Sequence, residues 1–158
     1  LREYLDRNGN STRAPDEGRT RMSLTTPDTT FWAKSDTRFR LRGEPENVVM
    51  TRELTDVTLT SWALPHLIPD AKLIVAELFT NALRVARHLD LFLCLSREDE
   101  TVCLGVWDPS PLMPVMGRCD PSKTSGRGLS IVAALTDTHG CHSVGTPPGK
   151  VVWARMKF

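Results

Sequence analysis

The sequence lacks most of what would assign it to a membrane, a secreted scaffold or a nucleic acid. No apolar run reaches the length of a bilayer span, and Leu1 to Asn10 carries no apolar core of a signal peptide. A cytoplasmic address is therefore the expectation. The four cysteines, Cys94, Cys103, Cys119 and Cys141, form no CxxC pair, and no histidines stand at zinc-binding spacing. Cys94 and Cys103 fall inside apolar runs, where a free thiol behaves as a small hydrophobe. An excess of one charge is missing too: 20 basic and 19 acidic side chains leave a net charge of +1. That balance gives no electrostatic reason to expect nucleic-acid binding. There is no GxxxxGK[ST] phosphate loop, no dinucleotide fingerprint inside a βαβ unit, and no internal repeat.

What remains is an ordinary globular composition, 40% hydrophobic and 25% charged over 158 residues, enough for one domain with a full core. Residues 1–36 stand apart. They are rich in Arg, Asp, Thr, Ser, Pro and Gly, with Phe31 and Trp32 as the one apolar anchor. Such a stretch buries too little surface to offset its ordering entropy, so a flexible tail is expected ahead of a domain over 37–158.

Within the domain, Arg38 to Arg42 alternates Phe39 and Leu41 with arginines, as an edge strand would. From Glu46 to Trp62, Val49, Leu54, Val57 and Trp62 recur at roughly helical spacing. Pro69 suits the first turn of a long helix running to His88. Leu91 to Leu95 and Thr101 to Trp107, separated by Arg97-Glu98-Asp99-Glu100, read as a hairpin. Gly126 to Thr138 reads as a third helix, and Cys141 to Gly145 with Lys150 to Phe158 as a closing hairpin. The order β-α-α-β-β-α-β-β groups helices with helices and strands into hairpins. That order predicts an α+β sandwich rather than a doubly wound sheet.

Three groups of residues carry candidate chemistry. In Glu77-Leu78-Phe79-Thr80-Asn81, the acid and the amide are four apart and share a helix face, which Arg84 and His88 continue. Ile74, Leu78, Ala82 and Val85 lie on the other side, so the polar stripe is either a site or a solvated face. Asp108 follows an apolar strand. A carboxylate there can accept from an exocyclic amine, or serve as a turn residue before Pro109. Ser125-Gly126-Arg127-Gly128-Leu129 opens the third helix, where glycines allow close approach and free N–H groups favour phosphate.

In that order and spacing the three groups, with the closing Gly149-Lys150-Val151-Val152-Trp153-Ala154, resemble the Bergerat, or histidine-kinase-like ATPase, family. Within it they are most similar to the anti-sigma-factor serine kinases. The resemblance spans about residues 38 to 158. It implies a two-layer sandwich, a mixed and mostly antiparallel sheet covered on one face by helices. It further implies ATP and Mg²⁺ as ligands, with Asn81 on the metal and Asp108 on the adenine amino group. Ser125, Gly126, Arg127, Gly128 and Leu129 would surround the phosphates, and Glu77 would orient or deprotonate a serine hydroxyl of a protein substrate. The implied partners are a sigma factor and an anti-sigma-factor antagonist. A homodimer is also plausible, through the faces of strand 38–42 and helix 46–62. Three positions depart from the family pattern: Ser110 replaces a glycine, Arg84 to His88 replaces a histidine-bearing turn, and Val151 takes the place of a threonine near adenine. A non-catalytic module acting by partner sequestration therefore stays open as the alternative.

Overall fold

A computed structural model of the chain describes residues 36–114 and 128–158. Residues 1–35, with Phe31 and Trp32, lie outside the described residues, as do residues 115–127. The chain runs through β1 (Thr37–Arg42), α1 (Asn47–Ser61), a 3₁₀ turn (Pro65–Leu67), α2 (Ile68–Leu83), β2 (Asp90–Glu98), β3 (Thr101–Asp108), α3 (Gly128–Leu135), β4 (Thr138–Gly145) and β5 (Pro148–Lys157). The strands form one five-stranded sheet in the order β1-β2-β3-β5-β4, antiparallel at every pairing. This is the α+β sandwich that the order of elements predicts.

Strand alternation decides which side chains meet the helices. Leu91, Leu93 and Leu95 of β2 point to the same face as Leu104 and Val106 of β3, where they join Ile74, Leu78 and Phe79 of α2 in the main core. The intervening residues face the other way. Cys94, Cys103, Trp107, Val151 and Trp153 form a second, smaller cluster there. Both cysteines are buried and pack as hydrophobes.

Helix α1 follows its apolar spacing only in part: Leu54 and Trp62 pack against the core, but Val49 and Val57 do not. Val49 is 60% exposed and Val57 70% exposed, while Thr51, Thr55, Thr58 and Leu59 are buried. The reason lies in the threonine hydroxyls. Thr55 Oγ1 donates to the Thr51 carbonyl at 2.8 Å and Thr58 Oγ1 to the Leu54 carbonyl at 2.7 Å. With the hydroxyl satisfied by its own helix, only the methyl remains to be buried, and threonine packs like a small apolar residue.

Helix α2 starts with Pro69 in its first turn and buries Ile74, Leu78 and Ala82 as expected. It ends at Leu83 rather than running to His88. The chain then turns at His88, whose φ is 63°. That turn is held by the end of β1: Gly43 N donates to the Leu89 carbonyl at 2.7 Å and His88 N to the Gly43 carbonyl at 2.9 Å. A Cβ on Gly43 would stand 2.6 Å from the Ala86 carbonyl oxygen, so only glycine permits this approach. His88 thus leaves the Glu77–Asn81 stripe, and its Nδ1 lies 2.7 Å from Glu44 Oε1. This bond holds the Glu44 carboxyl below the usual carboxylate range. At the other end of the chain, Thr138 begins β4 instead of closing α3.

The assignment of the α1 faces has a direct check. Val57→Lys is expected to leave the unfolding free energy within about 0.5 kcal/mol of the parent. Thr55→Lys forces an ammonium into the core and is expected to cost more than about 3 kcal/mol in chemical denaturation.

Candidate functional site

Strand β3 ends with Asp108 pointing to the helix-covered face, level with Lys150 of β5 in the antiparallel register. Both side chains are inaccessible, Asp108 at 0% and Lys150 at 1% exposure. Lys150 Nζ donates to Asp108 Oδ1 at 2.7 Å and to the Ser110 carbonyl at 3.3 Å. Ser110 N donates to the same Oδ1 at 2.9 Å, closing a small turn of the kind aspartate favours. Oδ2 has no hydrogen-bond partner among the described residues. A buried carboxylate oxygen without a donor is rare, since leaving it unmatched costs about 1–3 kcal/mol. It is the atom that fits a ligand amino group. Burial raises the Asp108 carboxyl above the usual aspartate range, opposed by the Lys150 ammonium and the Ser110 N–H.

The backbone is cleared for this arrangement at Gly149. A Cβ there would collide with the Asp108 carbonyl oxygen and stand 2.8 Å from the Trp107 indole, so β5 can close on β3 only with glycine at this position. Cys141, on the helix-facing side of β4 through its pairing with Val152, lies within electrostatic reach of both Lys150 and Asp108. Burial pushes its thiol up to about 12, so it stays neutral. Its Sγ is 3.3 Å from Met113 Sδ.

Glu77 and Asn81 sit on the half-buried side of α2, one turn apart. Helix α3 begins at Gly128 directly against Glu77. A Cβ on Gly128 would collide with Glu77 Oε2, so the glycine is what admits the carboxylate to the start of the helix. Leu129 is partly buried against the main core and anchors α3. Ser125, Gly126 and Arg127 lie outside the described residues. The structure therefore brings Glu77 together with Gly128 and sets Asn81 beside Glu77. Asp108 lies on the same helix-covered face of the sheet, at the end of β3, against which α2 packs.

Val151 does not take the place beside Asp108 that the resemblance implies for it. Val151 pairs with Trp107 and faces the second cluster, away from Asp108. The residue opposite Asp108 is Lys150, one position earlier, because side chains alternate along β5. Lys150 thus joins Asp108 at the candidate site, a residue that sequence reasoning did not single out. Its signal was the Gly149-Lys150 dipeptide, but only the β3–β5 register shows which of two neighbours turns inward.

The donor set fits the ligands in question. Asp108 Oδ2 is an acceptor suited to an exocyclic amine, and the Asn81 amide oxygen is a hard donor suited to Mg²⁺. Among the described residues no three His, Cys, Asp or Glu side chains cluster as metal ligands.

A family model described as the histidine kinase-like ATPase domain matches residues 41–156, from β1 to the end of β5. No curated protein matches the chain.

The Asp108–Lys150 pair makes a stability prediction. Lys150→Ala strands a buried carboxylate and is expected to lower the unfolding free energy by about 3–5 kcal/mol at neutral pH. Without the ammonium the carboxyl rises further in the folded state, and a folded pKa above the unfolded one favours folding at low pH. The deficit should therefore shrink in mild acid and grow as pH rises, which denaturant melts across pH would record.

Proposed function

The chain belongs to the histidine kinase-like ATPase family, and from that premise we propose that it binds ATP and transfers the γ-phosphoryl group to a serine of a protein partner. The observation that carries this reading is the position of Glu77. Its carboxylate lies against Gly128 at the start of α3, next to the Ser125–Leu129 segment that the resemblance assigns to the phosphates. A solvated helix face would not need a glycine opposite its acid.

In this reading Asp108 Oδ2 accepts from the adenine amino group, Asn81 holds Mg²⁺ against the phosphates, and the N–H groups at the start of α3 face phosphate oxygens. MgATP supplies an activated phosphoryl group. Glu77 receives the proton of the serine hydroxyl as its oxygen bonds to the γ-phosphorus and the bond to the β-phosphate oxygen breaks, leaving ADP. The resemblance to anti-sigma-factor serine kinases makes the phosphorylated partner an antagonist protein and the sequestered one a sigma factor. The outward apolar side chains of α1, Val49 and Val57, offer a surface for such a partner or for a second copy of the chain.

A second reading has its own support. The Lys150 ammonium already occupies Asp108 Oδ1, and Ser110 stands where the family pattern has glycine. A domain of this fold acting by sequestration alone would tolerate both.

The two readings separate in one assay. With labelled ATP and a cognate antagonist, Glu77→Gln is expected to lower phosphoserine formation by about 10²–10⁴-fold. ATP affinity should change little. Absence of any transfer by the parent chain, with partner capture intact, would favour sequestration.

A further inference from the structure

An adenine presents two neighbouring polar groups along one edge, the 6-amino donor and the N1 acceptor. A site that reads both needs an acceptor beside a donor. Asp108 Oδ2 supplies the first. The structure holds a candidate for the second in Lys150, which the family comparison does not assign.

Lys150 is buried, and its ammonium has three N–H donors. Two are used, one on Asp108 Oδ1 at 2.7 Å and one on the Ser110 carbonyl at 3.3 Å. Among the described residues the pair is thus doubly incomplete, with one carboxylate oxygen that receives no donor and one ammonium N–H that meets no acceptor, on adjacent side chains. A pair serving the fold alone would be expected to saturate both groups, because a buried ion pair scarcely repays its own desolvation. Its neighbours along the strands, Val106 and Val152, show that apolar cross-strand pairs suit this face.

We propose that Lys150 is a specificity-determining residue of the nucleotide site. Its remaining N–H donates to adenine N1 while Asp108 Oδ2 accepts from the 6-amino group. The proposal rests on the ATP-binding reading above. It gives Lys150 a task in base recognition that a valine or threonine at this position could not perform with a charged donor.

The test needs no variant to begin. The full chain with Mg²⁺ is titrated calorimetrically with ATP and with 1-deaza-ATP, which keeps the amino group and lacks the N1 acceptor. Loss of a hydrogen bond to a charged donor should weaken binding by about 10- to 100-fold. Lys150→Met, shown to be folded by circular dichroism, should bind the two nucleotides equally. Purine riboside triphosphate, which keeps N1 and lacks the amino group, should bind weakly to both proteins. Equal affinity of the parent chain for ATP and 1-deaza-ATP would overturn the role of Lys150 while leaving ATP binding in place. No ATP binding by the folded parent chain would instead overturn the nucleotide-site reading, and this inference with it.

Discussion

Two opposite charges in the interior constrain the rest of this domain. Asp108 and Lys150 meet across β3 and β5, next to each other in the sheet, with neither side chain reaching solvent. Their separation is a strong hydrogen bond, yet desolvating both groups offsets much of the gain. The pair is therefore a poor device for stability and a good one for fixing geometry. A one-residue slip of β5 would remove Lys150 from Asp108 and drive it to the opposite face. Gly149 and Ser110 serve the same end, the first by letting β5 close on Trp107, the second by donating its N–H to Oδ1.

The contact between Glu77 and the start of α3 is built by different means. There the requirement is room rather than charge pairing. Helix α2 buries Ile74, Leu78 and Ala82, and this fixes its rotation so that Glu77 turns toward α3. Gly128 leaves the space that the Glu77 carboxylate fills. The two ends are tied through the sheet, because α2 packs on β3, the strand that ends in Asp108. An antiparallel sheet with helices on one face thus holds the Asp108 carboxylate and the Glu77 carboxylate in fixed relation, as the proposed binding of ATP requires.

Much of this was legible in the sequence. The alternation of β2 and β3 and the apolar side of α2 follow from local periodicity, which is strong where a strand or helix has one buried face, whereas the grouping of Glu77, Asn81, Asp108 and Gly128 comes from the family resemblance. Two features were not. The buried face of α1 is made largely of Thr51, Thr55 and Thr58, and a hydropathy pattern scores threonine as polar because it ignores the carbonyl that satisfies the hydroxyl. Lys150 was overlooked because a lysine beside a valine pair reads as the outward residue. Its inward orientation depends on the pairing of β5 with β3, a contact between residues 42 positions apart. The early end of α2 has the same origin, since the turn at His88 is held by Gly43 from β1.

The central claim is that Asp108 receives the base of a bound ATP. Calorimetry with ATP and Mg²⁺ on the parent chain and on Asp108→Asn tests it most directly. The account predicts saturable binding by the parent chain. It predicts a loss of about tenfold or more in the variant, whose amide retains the shape and gives up the charged acceptor. Equal binding by both folded proteins would contradict the assignment of Asp108 to the base.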